Sequence, residues 1–364
     1  MEMRDSYYLT LSYCPGIGPV TFDLLCNHFG SVEEILKAPL QELSRVIGSN
    51  LARQLVSFRS SFDSEKVLQS LAKQQVTVLT REHSSYPPQL AQLSDAPICL
   101  YVKGAISNFD WTSELFIGVV GTRKPTEYGT QITRLLSREL AQAGTIIVSG
   151  LALGVDALAH QEAVQAGKKT IAFMGCGVNV IYPSANTHLY HRILETGGLI
   201  ISEFPPDALT LKGHFVARNR LISGLSQGVL ITEGLLQSGA LITARYALAQ
   251  GKDVFAPPAP ITSDFSGAPN LLLKEGAILV TEVNDILREY GKDKSRTTSS
   301  QDISSLTHEE RTLYQLLKQE SFTSDDLARS LNISVSELLP LLSSMELSGL
   351  IQRNEIGKYQ IGVA

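Results

Sequence analysis

The chain has 364 residues, 43% hydrophobic and 18% charged, enough to bury a full core and to divide into more than one domain. With 31 basic against 36 acidic side chains and a net charge of −5, bulk positive charge is excluded as a way of holding nucleic acid, so any such site must be local. Cys14, Cys26, Cys99 and Cys176 form no CxxC pair, and no stretch approaches the ~20 apolar residues of a membrane span, so the expectation is a cytoplasmic protein with no metal, cofactor or membrane contact.

Residues 1–80 are expected to form an N-terminal helical domain. Apolar positions recur at helical spacing in TFDLLCNHF, SVEEILKA and SEKVLQSLAKQ. Pro15-Gly16-Ile17-Gly18-Pro19 lies just ahead of the first of these. Such a turn fits a helix-hairpin-helix or SAM-like domain whose amides hold a DNA phosphate, or a glycine turn that only packs two helices of a small bundle. Only Lys37 and Arg45 add positive charge nearby.

Over 81–290 the pattern becomes strand, glycine turn, helix. LFIGVVG, TIIVSG, KTIAFMG, GLIIS, GVLITEG, DVFAPP and AILVTE are short and rich in β-branched residues, which predicts an α/β, Rossmann-like, mostly parallel sheet covered on both faces. Gly121, Gly150, Gly175 and Gly234 end strands, so several turns should crowd the carboxyl edge where such folds take ligands.

Residues 291–303 have the polar composition of a linker, and 304–364 read as a winged helix-turn-helix. Thr323 and Asp326 are spaced as a capping box. The third helix of that module carries no Lys or Arg between Ile333 and Gly349, and Pro340 is expected to interrupt it, so the module is assigned to protein contact or modulation rather than to reading duplex DNA.

Four constellations carry chemistry. Gly121-Thr122-Arg123 sits at a strand-to-helix turn, where glycine permits close approach, threonine supplies a hydroxyl and an amide, and arginine can fork onto a phosphate. Gly150 and Gly154 straddle a second such turn and could cradle an anion with their amides. Asp156 and His160 follow one helical turn apart, read as a first-turn acid hydrogen-bonded to the histidine.

The third is Lys212-Gly213-His214-Phe215-Val216-Ala217-Arg218-Asn219-Arg220, four potential cations and an aromatic ring in a chain that is otherwise acidic. Cations beside a stacking ring are what a groove for single-stranded nucleic acid requires. Arg218 and Arg220 should fall on different helix faces, so one can brace the core while the other meets ligand. In the fourth, Thr232-Glu233-Gly234 and the helix start carrying Gly239 and Thr243 would extend the same rim, with Glu233 as the carboxylate best placed for catalysis or for orienting a neighbour.

Together VVGTRKPTEYG, VSGLALGVDALAH, KTIAFMGCGVNVIYP, LIISEFPP, HFVARNRLISGLS, VLITEGLLQSGALITARYALAQGKDVFA and SGAPNLLLKEGAILV resemble the DNA-processing protein A family, also called DprA or Smf, across residues 86–287. The resemblance implies a homodimeric single-stranded DNA-binding protein of natural transformation and recombination, one that protects incoming strands, helps load the RecA recombinase and has no enzymatic activity. It makes Arg123 and Lys212 the main phosphate ligands, brings Phe215 to a base and completes the pocket with Asn219 and Arg220. It also assigns the stretch around Asn270, Leu273 and Leu279 to a dimer surface. Val216 stands where members usually carry proline. The competing expectation is a Rossmann-type hydrolase of nucleoside monophosphates using Arg123 and Glu233, but TEGLLQSGALITA puts the glutamate before the glycine of its turn.

Overall fold

The computed structural model describes residues 3–292, 307–317, 320–331, 333–347, 350–353 and 357–361. Contacts divide the chain into two compact units, Met1–Lys292 and Asp293–Ala364. From position 293 onward, the linker expected at 291–303 lies outside the described residues.

The first unit is organised on a nine-stranded sheet: β1 (Thr77–Thr80), β2 (Cys99–Lys103), β3 (Phe116–Val120), β4 (Ile146–Ser149), β5 (Thr170–Phe173), β6 (Leu199–Ser202), β7 (Gly228–Ile231), β8 (Asp253–Ala256) and β9 (Ile278–Leu279). Their order is β1-β2-β6-β5-β4-β3-β7-β8-β9. All pairings from β6 to β9 are parallel, and β2 is antiparallel to both of its neighbours. Every residue of β3 through β7 is buried, as parallel strands with helices on both faces require.

All seven strands expected from the apolar runs are present. The antiparallel pair β1 and β2 was not expected: residues 81–98 between them form only the four-residue helix Pro88–Ala91, so neither shows the strand–helix alternation that marked the others.

β1 also corrects the domain boundary. It lies inside the segment assigned to the helical domain, yet it forms one edge of the sheet. The N-terminal helices do not stand apart either. Leu9, Leu25, Leu43 and Leu55 share one core with Tyr101, Ala172 and Ile200 of the sheet, and Ser12 Oγ lies 2.8 Å from Tyr101 Oη. Short helices leave apolar faces that a small bundle cannot bury alone, and the sheet covers them. Around the Gly-Ile-Gly turn, helices Met3–Tyr13 and Pro19–Phe29 are joined through Gly16 at φ 84°, with Gly18 preceding the second helix.

The chain runs from β3 outward through β4 and β5 to β6, then returns to β7 on the other side of β3 and proceeds to β8 and β9. The strand order therefore reverses between β3 and β7. A crevice must open there at the carboxyl ends, because the loops leaving the two strands turn to opposite faces.

In the second unit, helices His308–Leu317, Ser324–Leu331 and Val335–Leu347 and the hairpin β10 (Ile351–Arg353) and β11 (Tyr359–Ile361) enclose Leu313, Leu327, Leu338, Leu342, Met345 and Tyr359. The expected cap forms: Asp326 N donates to Thr323 Oγ1 at 3.2 Å, and that hydroxyl donates to Asp326 Oδ2 at 2.7 Å. Pro340 does not interrupt the third helix, which continues to Leu347. Proline deletes one backbone hydrogen bond, and the buried Leu338, Leu342 and Met345 hold the helix on both sides of it.

Candidate functional site

The crevice at the switch point is a cleft of about 290 Å³. Gly121, Thr122 and Arg123 line it as they leave β3. A Cβ at Gly121 would lie 2.5 Å from Val155 Cγ2 and 2.8 Å from the Glu233 carbonyl oxygen, so only glycine lets the turn pass between β7 and the next helix. Thr122 fixes the turn. Its amide donates to Glu233 O at 2.8 Å, its carbonyl accepts from Val155 N at 3.1 Å, and its hydroxyl accepts from Lys124 N at 3.2 Å. The Thr122 amide expected to meet ligand is therefore spent on the fold.

Arg123 is different. It is exposed, it forms no ion pair with any described residue, and its guanidinium stands 5.7 Å from the centre of the Phe215 ring.

Glu233 is 1% exposed. Its Oε2 accepts from Thr126 N at 2.8 Å and its Oε1 accepts from Thr126 Oγ1 at 2.6 Å. It thus anchors the start of helix Glu127–Gln142 instead of orienting Asn219 or an arginine.

The expected amide cradle at Gly150 is filled from within the protein. Gly150 N donates to Asp156 Oδ2 at 3.1 Å, and Gly150 O accepts from Arg218 Nη1 at 2.6 Å. Gly150 consequently lines only a smaller slot beside the cleft.

Arg218 is 3% exposed and also reaches Phe173 O and Asn219 Oδ1. Burial raises the Asp156 carboxyl above its usual range and the Arg218 charge opposes that rise; burial likewise lowers the guanidinium, with Asp156 acting against it. The two charges lie together beneath the cleft.

Asp156 and His160 do not bond to each other. His160 Nδ1 lies 2.8 Å from Thr170 Oγ1, which itself donates to Ile147 O. Burial, assisted by the positive charge of Arg218, lowers the His160 pKa from 6.5 to about 3. In the unfolded chain this histidine binds a proton first, so its contribution to stability is complete above about pH 6.5 and is lost as pH falls toward about 3. Urea unfolding followed between those limits will show stability falling with acid, and His160→Gln will flatten that fall. An unchanged slope in the variant would exclude this histidine as its source.

Helix Lys212–Leu225 brings Phe215, Arg218 and Asn219 to the cleft. Lys212 stands exposed in its first turn, without an ion pair to any described residue and outside the residues lining the cleft. Arg220 corrects the expectation of a ligand role. It is 5% exposed and lines neither cavity. Its Nε donates to Asp95 Oδ2 at 2.7 Å and its Nη2 to Glu203 Oε2 at 2.7 Å. Two positions along a helix turn a side chain by about 200°, which carries Arg220 away from the face that holds Arg218.

Across the cleft Gly239 opens helix Gly239–Ala249, and its carbonyl accepts from Asn219 Nδ2 at 3.4 Å. That helix start has no side-chain cap, and the buried Ser238 Oγ beside it has no hydrogen-bond partner. Thr243 does not reach ligand. It is fully buried one turn inside the helix, its hydroxyl donating to Gly239 O at 3.3 Å.

Sequence reasoning placed Ser238, with the hydroxyl residues of its segment, on this rim; it did not single out Tyr182, which lines the smaller slot. The only signal for Tyr182 was an aromatic residue before proline in the loop after β5.

The residues assigned to a dimer surface gather along the opposite edge of the sheet. Asn270 Nδ2 donates to Ala259 O at 3.2 Å, Leu273 packs against the core beneath it, and Leu279 is 50% exposed on the edge strand β9.

Exposed Arg123 and the uncapped helix start at Gly239 thus line one cleft above the buried Arg218. That arrangement can hold a phosphodiester.

A sequence profile described as DNA recombination-mediator protein A matches residues 77–291, and one described as the DprA winged helix domain matches residues 297–355. Protein Smf of Synechocystis is 36% identical over 292 residues, which make up 79% of this chain and 73% of that protein. The X-ray structure of DNA processing protein A from Streptococcus pneumoniae aligns with a TM-score of 0.68 at 32% identity, covering 78% of this chain and 97% of that one. DNA processing protein A from Helicobacter pylori, solved for its single-stranded DNA binding mode, aligns with a TM-score of 0.52 at 35% identity, covering 60% of this chain and 97% of that one. With its central sheet inside the first profile and its Rossmann-like fold shared with these structures, the chain belongs to the DNA recombination-mediator protein A family.

Proposed function

We propose that this chain binds single-stranded DNA in the switch-point cleft. Arg123 and Lys212 neutralise phosphates, Gly121, Thr122 and Gly239 shape the rim, and Phe215, Arg218 and Asn219 form the wall. The observation that carries the reading is the exposed Arg123 guanidinium, without an ion pair to any described residue, lining one cleft with an uncapped helix start. An aromatic wall beside cations suits an unpaired strand whose bases are free to stack. In the cytoplasm, as a homodimer joined through the edge carrying Asn270, Leu273 and Leu279, the protein protects strands taken up in natural transformation and helps load RecA. It acts by binding and not by catalysis, because Glu233, the carboxylate on which a hydrolase would depend, is buried and held by Thr126.

Gel-shift titration of oligodeoxythymidylate against a duplex of equal length tests this. Preference for the single strand is expected. Lys212→Ala should weaken binding regardless of base sequence and reduce the slope of log affinity against log salt by roughly 0.7. Equal binding of duplex, or release of free base from nucleoside monophosphates, would overturn the proposal.

A further inference from the structure

Helices Val155–Gln165 and Thr187–Glu195 lie side by side, and the groove between them encloses about 470 Å³. It shares no residue with the cleft or with the smaller slot. Val164 and Leu189, both buried, supply its apolar lining.

Gln161 and Gln165 line one wall a helical turn apart, and His188 and Arg192 line the other at the same spacing, about 6 Å along the axis. Gln161, Gln165 and His188 have no side-chain partner among the described residues. Arg192 meets Glu195 at 3.6 Å with the two side chains 47% and 65% exposed, a surface pair that holds the arginine only weakly. No carboxylate lines the groove, although the chain carries 36 acidic against 31 basic residues. Glu162, beside Gln161, is buried and accepts from Arg138 Nε at 2.8 Å.

The groove opens beside the cleft. Asn186, which lines it, donates from Nδ2 to Leu151 O at 2.9 Å and to Ala152 O at 3.2 Å, and Ala152 lines the cleft. We propose, resting on the single-stranded DNA reading above, that this groove carries the sugar-phosphate backbone of the same strand onward from the cleft. His188 and Arg192 meet successive phosphates, since their spacing is roughly one nucleotide step of an extended strand, and Gln161 and Gln165 hydrogen-bond from the opposite wall. A lining with a cation and no acid suits a polyanion, and its continuity with the cleft favours the strand over a separate acidic peptide.

The test titrates the full chain with oligodeoxythymidylates of increasing length. Parent affinity should keep rising after the cleft is filled. Arg192→Ala should weaken binding of the long oligomers about 2- to 5-fold, as loss of one exposed ion pair predicts, lower their salt slope by roughly 0.7 and leave the shortest bound oligomer unaffected. Gln161→Ala should weaken the long oligomers with the slope unchanged. Arg192→Lys should bind like the parent, because a point charge suffices at a single phosphate. Arg192 is exposed, so these substitutions leave the fold intact.

Arg123→Ala separates the two claims. If it weakens binding at every length while Arg192→Ala binds like the parent throughout, the groove is refuted and the cleft stands. If Arg123→Ala also binds like the parent, the underlying reading falls with it. An equal loss at every length in Arg192→Ala would mean that the arginine acts through the cleft, which overturns the groove. Loss of poly-L-glutamate binding in Arg192→Ala, with the long oligomers bound as before, would give the groove to an acidic peptide and overturn the proposal as well.

Discussion

Replacing Arg123 by alanine will weaken single-stranded DNA binding by about 10- to 100-fold, the loss expected for one charge-assisted contact of roughly 1.5–3 kcal/mol. The side chain is exposed and carries no ion pair to any described residue, so its removal should cost the fold little. The effect should therefore lie in binding, the same for every base composition. Because a phosphate contact releases counterions, the salt dependence should flatten by roughly 0.7 in slope. Arg123→Lys should recover only part of the loss, since an ammonium cannot fork across two phosphate oxygens. Filter binding at four or five salt concentrations measures both quantities. Parent-like affinity in Arg123→Ala would remove the phosphate site from this cleft.

Arg218→Met should act on the fold. The guanidinium is buried, its charge opposes the rise that burial imposes on the Asp156 carboxyl, and it satisfies the carbonyls of Gly150 and Phe173. Removing it leaves a buried charge and two carbonyls uncompensated, for which a loss of about 3–5 kcal/mol is expected. Urea unfolding measures it. Adding Asp156→Asn should restore part of the loss, because the two groups interact and their effects cannot simply add. If the double variant is as unstable as the sum of the singles, Arg218 and Asp156 are not coupled.

The two arginines mark the limit of what the sequence could say. Both stood in one basic segment, and the expectation that they fall on different faces held. Which face meets ligand was not legible, since Arg220 is claimed by Asp95, 125 positions away in the chain, and by Glu203. The same limit explains Thr243 and Gly150. Their residue types suited an anion site, but each group's hydrogen-bonding capacity was taken by a neighbour that only folding supplied.

By itself, the sequence determined the seven parallel strands, the glycine turns at their carboxyl ends, the exposed position of Arg123 and the winged helix with its Thr323 cap. These follow from short-range causes: β-branched runs, helical spacing, and turns that tolerate few residues. Only the tertiary structure decided that the N-terminal helices share the sheet's core, that β1 and β2 extend its edge, that Pro340 is carried within a helix, and that Tyr182 packs against Phe215. Burial and pairing depend on groups distant along the chain, so the same side chain can be a ligand or a brace according to what packs against it.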